Sequence, residues 1–394
     1  MSPRKSKRAS TGDVSLVTIA REWTRLGCIG FGGPPTHIAL LRKMCVEERH
    51  WLGAEEFEDG VAATNLLPGP ASTQLAIFCA WRLRGAVGGI LGGVCFIVPG
   101  LVLILALSVL FLAHHPDQWV LGLAAGAGAA VPAVALNAAW TLVPSSRARS
   151  GSESSAKARW FIYALFGATA AAVVGPYLVI VLAACGLVEI VVRQRGQLTS
   201  RESTKAIFPG VIAHVGAFGG IGALAWVALK VGALSYGGGF VIVPLMQHDA
   251  VSTYHWMSAA QFLNAVALGQ ITPGPVVQTV AVIGYAAAGL GGGLLAALIA
   301  FGPSFLFVLV GGSRFDKIRA NVSMRSFLAG AGPSVIGAIA GSSIPLGLSF
   351  QYLWQVPILA GAALWLFVLR RGVVSGLILA GAVGLILSLT GVRV

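Results

Sequence analysis

Charge is scarce in this chain. Only 10% of its 394 residues are Asp, Glu, Lys or Arg, while 56% are hydrophobic. A soluble globule does not carry that balance, because too little polar surface is left to face water. Acidic residues number just 14. Cysteine is also rare: Cys28, Cys45, Cys79, Cys95 and Cys185 form no CxxC pair, and four of the five lie in apolar segments. They read as small buried hydrophobes, without a metal or redox role. HExxH, GxSxG and P-loop patterns are missing, and the glycine runs at 237–239 and 291–293 lack the strand–helix setting of a nucleotide loop. The expectation is a non-enzyme that uses no cofactor and no metal.

Apolar runs are present in quantity. Ile90 to Ala113, ILGGVCFIVPGLVLILALSVLFLA, exceeds the roughly 20 residues a helix needs to cross a bilayer. The 52 glycines and 18 prolines fall largely inside such runs, where glycine permits close helix packing and proline marks breaks. The net charge of +13 does not indicate nucleic acid. Lys and Arg stand in short clusters between apolar segments, the pattern of cytoplasmic loops. Residues 1–13 form a basic cytoplasmic head; Arg21, Glu22 and Arg25 interrupt the segment after it, so it does not read as a secretion signal.

One stretch is written twice. An offset of 205 carries Phe31–Pro70 onto Tyr236–Pro275 without a gap, aligning Gly32 with Gly237, Gly33 with Gly238, Trp51 with Trp256, and Pro68-Gly69-Pro70 with Pro273-Gly274-Pro275. Around it the pattern predicts a helix over 14–31, a broken return over 32–41, a polar connection over 42–56, and a broken pair over 57–67 and 71–81. Spans follow near 86–113, 118–142, 160–174 and 176–192, with the loop SSRARSGSESSAKAR between the second and third. A basic connector and a linker helix near 207–222 lead to the second half. There the plan recurs: broken pairs at 223–246 and 258–288, then spans near 290–312, 326–349, 352–369 and 373–391. The domains expected are therefore 14–192 and 223–394, joined by 193–222.

The first copy carries Arg25, Arg42, Lys43, Arg49, Arg82 and Arg84, whereas no Lys or Arg occurs between Val231 and Ser313. The positive-inside rule then puts the first copy's loops, with the N-terminus, in the cytoplasm and the second copy's outside. The fold class expected is an all-α polytopic membrane protein of two inverted-topology halves, each with broken or re-entrant helices and about four spans. Basic residues on both flanks favour a re-entrant hairpin over 57–81, with a full broken crossing as the alternative.

A helix restarted at a glycine–proline break offers free N–H groups and a partial positive charge, which suits an anion. Pro70 and Pro275 suit the first position of such a half-helix. Candidate binding residues are Gly32, Gly33, Thr36, Asn65, Gly69, Ser72, Thr73 and Gln74 in the first copy. In the second they are Gly237, Gly238, Gln270, Thr272, Gly274, Gln278 and Thr279. The plainer reading is that the glycines only pack and the prolines only kink. Arg25 and Lys230 align in apolar segments, as functional charges or as side chains that snorkel. Arg82 and Arg84 form an electropositive vestibule or merely mark topology. Glu22, His37 and Asp59 are candidates for proton coupling.

FGGP at 31–34, NLLPGP at 65–70, YGGG at 236–239, QITPGP at 270–275 and the tandem halves resemble the chromate ion transporter family, in its long-chain bacterial form with two fused homologous domains. The resemblance covers nearly the whole chain past the basic head. It implies a bacterial inner-membrane protein that exports chromate and confers resistance, with sulfate as a close analogue. GGGF in the second copy stands where the first has GGPP, so the copies need not contribute equally. The partners expected are an oxyanion, the bilayer and a second copy of the chain, with no nucleic acid. Chromate is mainly a dianion at neutral pH, and a negative-inside potential drives a dianion outward by about 4.6 kcal/mol per 100 mV. The alternatives are an inward sulfate or oxyanion–proton symporter and a non-transporting scaffold.

Overall fold

Ser15 starts the first helix. Its hydroxyl accepts the Thr18 N–H at 3.1 Å, giving one of the unpaired N–H donors of the helix start its acceptor. The structure, a computed structural model, describes residues 14–65, 67–113, 116–151, 153–174, 178–194, 219–235, 242–311 and 321–393; these are helices and turns, with no strand among them. In order the helices are α1 (Leu16–Ile29), α2 (Pro34–Arg42), α3 (Ala54–Thr64), α4 (Ala71–Phe111), α5 (Gln118–Ser150), α6 (Ser154–Thr169) and α7 (Leu178–Gln194). Then come α8 (Ile221–Leu234), α9 (Ile242–Gln247), α10 (Ala259–Ile271), α11 (Thr279–Gly311), α12 (Val322–Leu348), α13 (Gln355–Ala363) and α14 (Val373–Leu389). By length and composition, α4, α5, α12 and the stretch Val276–Gly311 can each cross a membrane. Val87, Ile90, Val94, Val98 and Val102 of α4 are exposed at helical spacing, an apolar face suited to lipid.

Two of the long helices are bent back on themselves. In α4 the bend is Arg84 (φ −141°, ψ 28°) and Gly85 (φ 59°, ψ −153°). In α11 it is Ala288 (φ −152°, ψ 32°) and Gly289 (φ 62°, ψ −156°). A glycine is needed there because L side chains rarely adopt that φ. After the bend the chain returns along its first leg: a methyl added at Gly92 would lie 2.4 Å from Ala80 Cβ, and one at Gly93 would lie 2.7 Å from Ile77 Cγ1.

The first leg of α4 also runs antiparallel to α3. Arg82 pairs with Glu56, and a methyl at Gly60 would fall 2.4 Å from the Phe78 ring. Both contacts are centred on Gly69, so residues 54–83 form a helical hairpin with Pro68-Gly69-Pro70 at its tip, the hairpin geometry and not a single broken helix. In the second copy, a methyl at Gly269 would sit 2.0 Å from Thr279 Oγ1, a contact centred on Gly274.

The two sequence halves interlock. α5 packs on α13 and α14, while α12 packs on α6 and α7. Small residues allow this: Gly122 and Gly126 touch α14 at Gly384 and Ala380, and Gly337 and Gly341 touch α6 at Ala164 and Ala168.

Several expected boundaries shift. The connection over 42–56 is helical as far as Glu48, because α2 widens into a π-turn over Lys43–Glu48. α9 does the same over His248–Thr253. Two residues past each π-turn stands a histidine of positive φ, His50 at 51° and His255 at 52°. The loop expected over 145–159 is mostly helix: α5 continues to Ser150 and α6 resumes at Ser154. Arg147 and Arg149 sit in the last turn of α5, where cations offset the helix dipole, and Ser146 accepts the Trp160 indole N–H at 3.0 Å. The linker helix near 207–222 lies almost wholly outside the described residues; α8 begins at Ile221.

Candidate functional site

The site is built from the two hairpin tips. Gly69 has φ 117° and Gly274 has φ 100°, a left-handed backbone that makes glycine necessary at both turns. Pro70 and Pro275 stand one residue earlier than the sequence suggested. They are N-caps, not first helical residues. The cap suits them because no N–H is needed there. Their carbonyls take the first bonds, from Gln74 N–H at 3.0 Å and Gln278 N–H at 2.9 Å. Past the tip, Ala71, Ser72 and Thr73 begin a buried leg, whose first N–H groups have no intrahelical acceptor.

Each tip docks on the other half of the sequence. The second tip reaches the first half: Gly274 N–H donates to Gly30 O at 2.9 Å, and Gln278 Nε2 donates to Ile97 O at 2.9 Å. A methyl at Gly100 would lie 2.0 Å from Pro273 O. The first tip reaches the second half: a methyl at Gly69 would lie 3.3 Å from Ser304 Oγ on α11 and 3.5 Å from Gly232 O on α8. Pro99-Gly100 and Pro303-Ser304 are equivalent positions of α4 and α11. α4 and α11 are antiparallel here, with Gly93 against Phe305 and Gly89 against Leu309. The two tips therefore meet this helix pair roughly 9 Å apart along its axis, at 1.5 Å per residue.

α2 completes the cluster. Gly33 is its N-cap, with Pro34 and Pro35 in its first turn, and a methyl at Gly33 would touch Val276 at 3.9 Å. His37, buried, donates Nε2–H to Gly30 O at 2.8 Å and stands edge-on to Phe96 at 5.1 Å. The Gly30 carbonyl thus ties α1 to both α2 and the second tip.

Buried polar atoms without a partner concentrate here. Eight occur among the described residues: His37 Nδ1, Thr73 Oγ1, Gln74 Oε1, Ser235 Oγ, Gln270 Nε2, Gln278 Oε1, Ser304 Oγ and Ser334 Oγ. All but Ser334 belong to the hairpins or to the segments they dock on. An interior polar group is normally bonded, so the cluster makes the tips the candidate site. The set is mixed. Gln270 Nε2 can donate, and the three hydroxyls of Thr73, Ser304 and Ser235 can donate or accept. Gln74 and Gln278 spend their amide N–H on Pro68 O (2.7 Å) and Ile97 O, so their oxygens accept only.

The other expected residues divide. Ser72, Thr73, Gln74, Gln270, Thr272, Gln278 and Thr279 are buried at the tips. Thr272 and Thr279 hydroxyls donate to Leu268 O (2.9 Å) and Val276 O (2.8 Å). Thr36 lies beside Gly32, its Oγ1 3.0 Å from a methyl placed there, while Asn65 is exposed at the end of α3. Gly237 and Gly238 lie outside the described residues.

Most of the charged candidates are held in ion pairs. Glu22 is buried and pairs with Arg49 at 2.5 Å and with exposed Arg25 at 3.7 Å. Lys230 pairs with Asp249 at 2.5 Å, and Arg82 with Glu56. Arg84 is exposed at the bend of α4, and Asp59 is half-buried on α3. No group of three or more His, Cys, Asp or Glu among the described residues could hold a metal.

Sequence reasoning missed Gly30, Gly100, Ser235 and Ser304. The one available hint was the recurrence of a proline followed by a small residue, VPG at 98–100 and GPS at 302–304, in the long apolar runs.

The sequence model of the family described as "Chromate transporter" matches residues 17–190 and 222–386. A chromate transport protein of Cupriavidus metallidurans is 31% identical over 92% of this chain and 97% of its own length. One from Pseudomonas aeruginosa is 27% identical over 94% and 98%. An uncharacterised transporter of Methanocaldococcus jannaschii is 26% identical over 90% of each. No solved structure matches.

Proposed function

Since the chain belongs to the chromate transporter family and is a multi-pass membrane protein and not an enzyme, we propose that it moves chromate, or a closely similar oxyanion, out of the cytoplasm through the centre formed by its two hairpin tips. One observation carries the site: seven of the eight unpartnered buried polar atoms gather at the tips and their docking partners. The N–H groups that open each leg, the hydroxyls of Thr73, Ser304 and Ser235, and Gln270 Nε2 supply donors around a tetrahedral anion. Gln74 Oε1 and Gln278 Oε1 are left to hold hydration water or a proton-bearing oxygen.

Alternating access is the natural mechanism for this build. Each tip rests on helices of the half of the chain to which it does not belong, so lifting the first tip from α8 and α11, or the second from Gly30 and α4, would uncover each in turn. The halves would be inverted across the bilayer. Charge supports this, with Arg25, Arg42, Lys43, Arg49, Arg82 and Arg84 in the first copy and no Lys or Arg from Val231 to Ser313 in the second. The recurrence of the same bend at Gly85 and Gly289 supports the duplication on which that inversion would act. The N-terminus is then cytoplasmic and the membrane the bacterial inner membrane. The potential alone favours export of a dianion, by about 4.6 kcal/mol per 100 mV. A sulfate carrier is the second reading, because sulfate has the same shape and charge.

Everted membrane vesicles test the direction. Chromate is expected to accumulate inside when the vesicle interior is positive, to stop doing so when the potential is collapsed, and to be competed by sulfate. Sulfate accumulation without chromate accumulation would replace the substrate, and equal flux without a potential would remove the export argument.

A further inference from the structure

Away from the tips, the junction of α5 and α6 forms an open-sided pocket of about 680 Å³ lined by Arg147, Ser150, Gly151, Lys157, Trp160 and Phe161, among others. Its two cations carry no ion pair with a carboxylate among the described residues. Arg147 is instead held by stacking, its guanidinium 5.0 Å from the Trp160 ring and 5.1 Å from the Phe161 ring. Among the described residues, the surrounding helix ends add Arg149, Arg159 and Arg193, against Glu153 and Glu189. Glu189 is taken up by Arg159 at 3.0 Å and Arg193 at 2.7 Å. The pocket is therefore electropositive, and its guanidinium is fixed in place before any ligand arrives.

What lies next to the pocket is apolar. On α6, Phe161 and Leu165 are 58% and 66% exposed, one and two turns along the face that carries Lys157. On α5, Trp140 is 69% exposed, two turns before Arg147. A cationic pocket at a helix junction, continued by exposed apolar side chains on both helices, matches an amphiphile with an anionic head. A free anion would have no use for the apolar continuation. We propose that this junction binds an anionic phospholipid, its phosphate against Arg147 and Lys157 and its acyl chains along Phe161, Leu165 and Trp140. The site is independent of which oxyanion the tips carry.

The test uses the full-length protein purified in detergent, with phosphatidylglycerol or phosphatidylcholine added and bound lipid counted by native mass spectrometry. Wild type is expected to retain phosphatidylglycerol in preference to phosphatidylcholine. Arg147→Gln/Lys157→Gln is expected to lose that preference by about tenfold or more, and the single exposed change Lys157→Glu to weaken it in the same direction. A preference unchanged in both variants would overturn the proposal. So would displacement of the lipid by millimolar inorganic phosphate, which would make the pocket a free-anion site.

Discussion

Thr73 and Thr279 lie just past the two hairpin tips but differ in their bonding. Thr279 satisfies its hydroxyl on Val276 O at 2.8 Å, whereas Thr73 Oγ1 is buried with no partner. Thr73 is thus the stronger candidate for contact with substrate. A hydrogen bond to a charged ligand is worth about 1.5–3 kcal/mol, so Thr73→Ala is expected to lower flux about tenfold or more and Thr279→Ala less, with Thr73→Ser retaining most activity; transport assays at matched protein level check the order. Gly100 and Gly302 make a second contrast. A methyl at Gly100 meets Pro273 O at 2.0 Å, while Gly302 has nothing within 4 Å. Gly100→Ala is expected to cost about 1–3 kcal/mol through overpacking, seen as a lower Tm in detergent, and Gly302→Ala to leave Tm unchanged or slightly higher, since Ala is the better helix former.

Between elements, α8 is joined to the π-turn after α9 by Lys230 and Asp249, whose side chains are 21% and 10% exposed. Removing one partner of such a pair leaves a charge stranded in a poorly hydrated place. Asp249→Asn is expected to destabilise the protein by up to about 3 kcal/mol, and Lys230→Met/Asp249→Leu to recover most of the loss; thermal unfolding of the three variants decides it. Element positions were readable in the sequence where local chemistry dictates them. The Pro68-Gly69-Pro70 and Pro273-Gly274-Pro275 turns are examples, because a proline flanking a positive-φ glycine ends one helix and starts another. The serine- and arginine-rich stretch has the composition of a loop but is mostly helix. Its helix is held by contacts made after folding, such as Trp160 to Ser146, which composition does not display.

Over the whole molecule, the repeat was legible but the way its copies combine was not. The duplicated stretch aligns at one offset, yet nothing local says that Gly274 will bond Gly30 or that Gly69 will rest near Ser304. Those are contacts between distant parts of the chain, made through the backbones of glycines and prolines, and they leave no periodicity to read. The interlocked packing of α5 with α14 and α12 with α6 and α7 has a direct consequence. Residues 1–194 expressed alone are expected to be degraded or aggregated, while co-expression with residues 195–394 restores a monodisperse membrane protein on size-exclusion chromatography. The most direct measurement is radiolabelled chromate accumulation in everted vesicles, wild type against Thr73→Ala at equal protein. The expected result is accumulation driven by an interior-positive potential in the wild type and a loss of about tenfold in the variant. Equal accumulation in both, or none above vesicles lacking the protein, would contradict a chromate path through the hairpin tips.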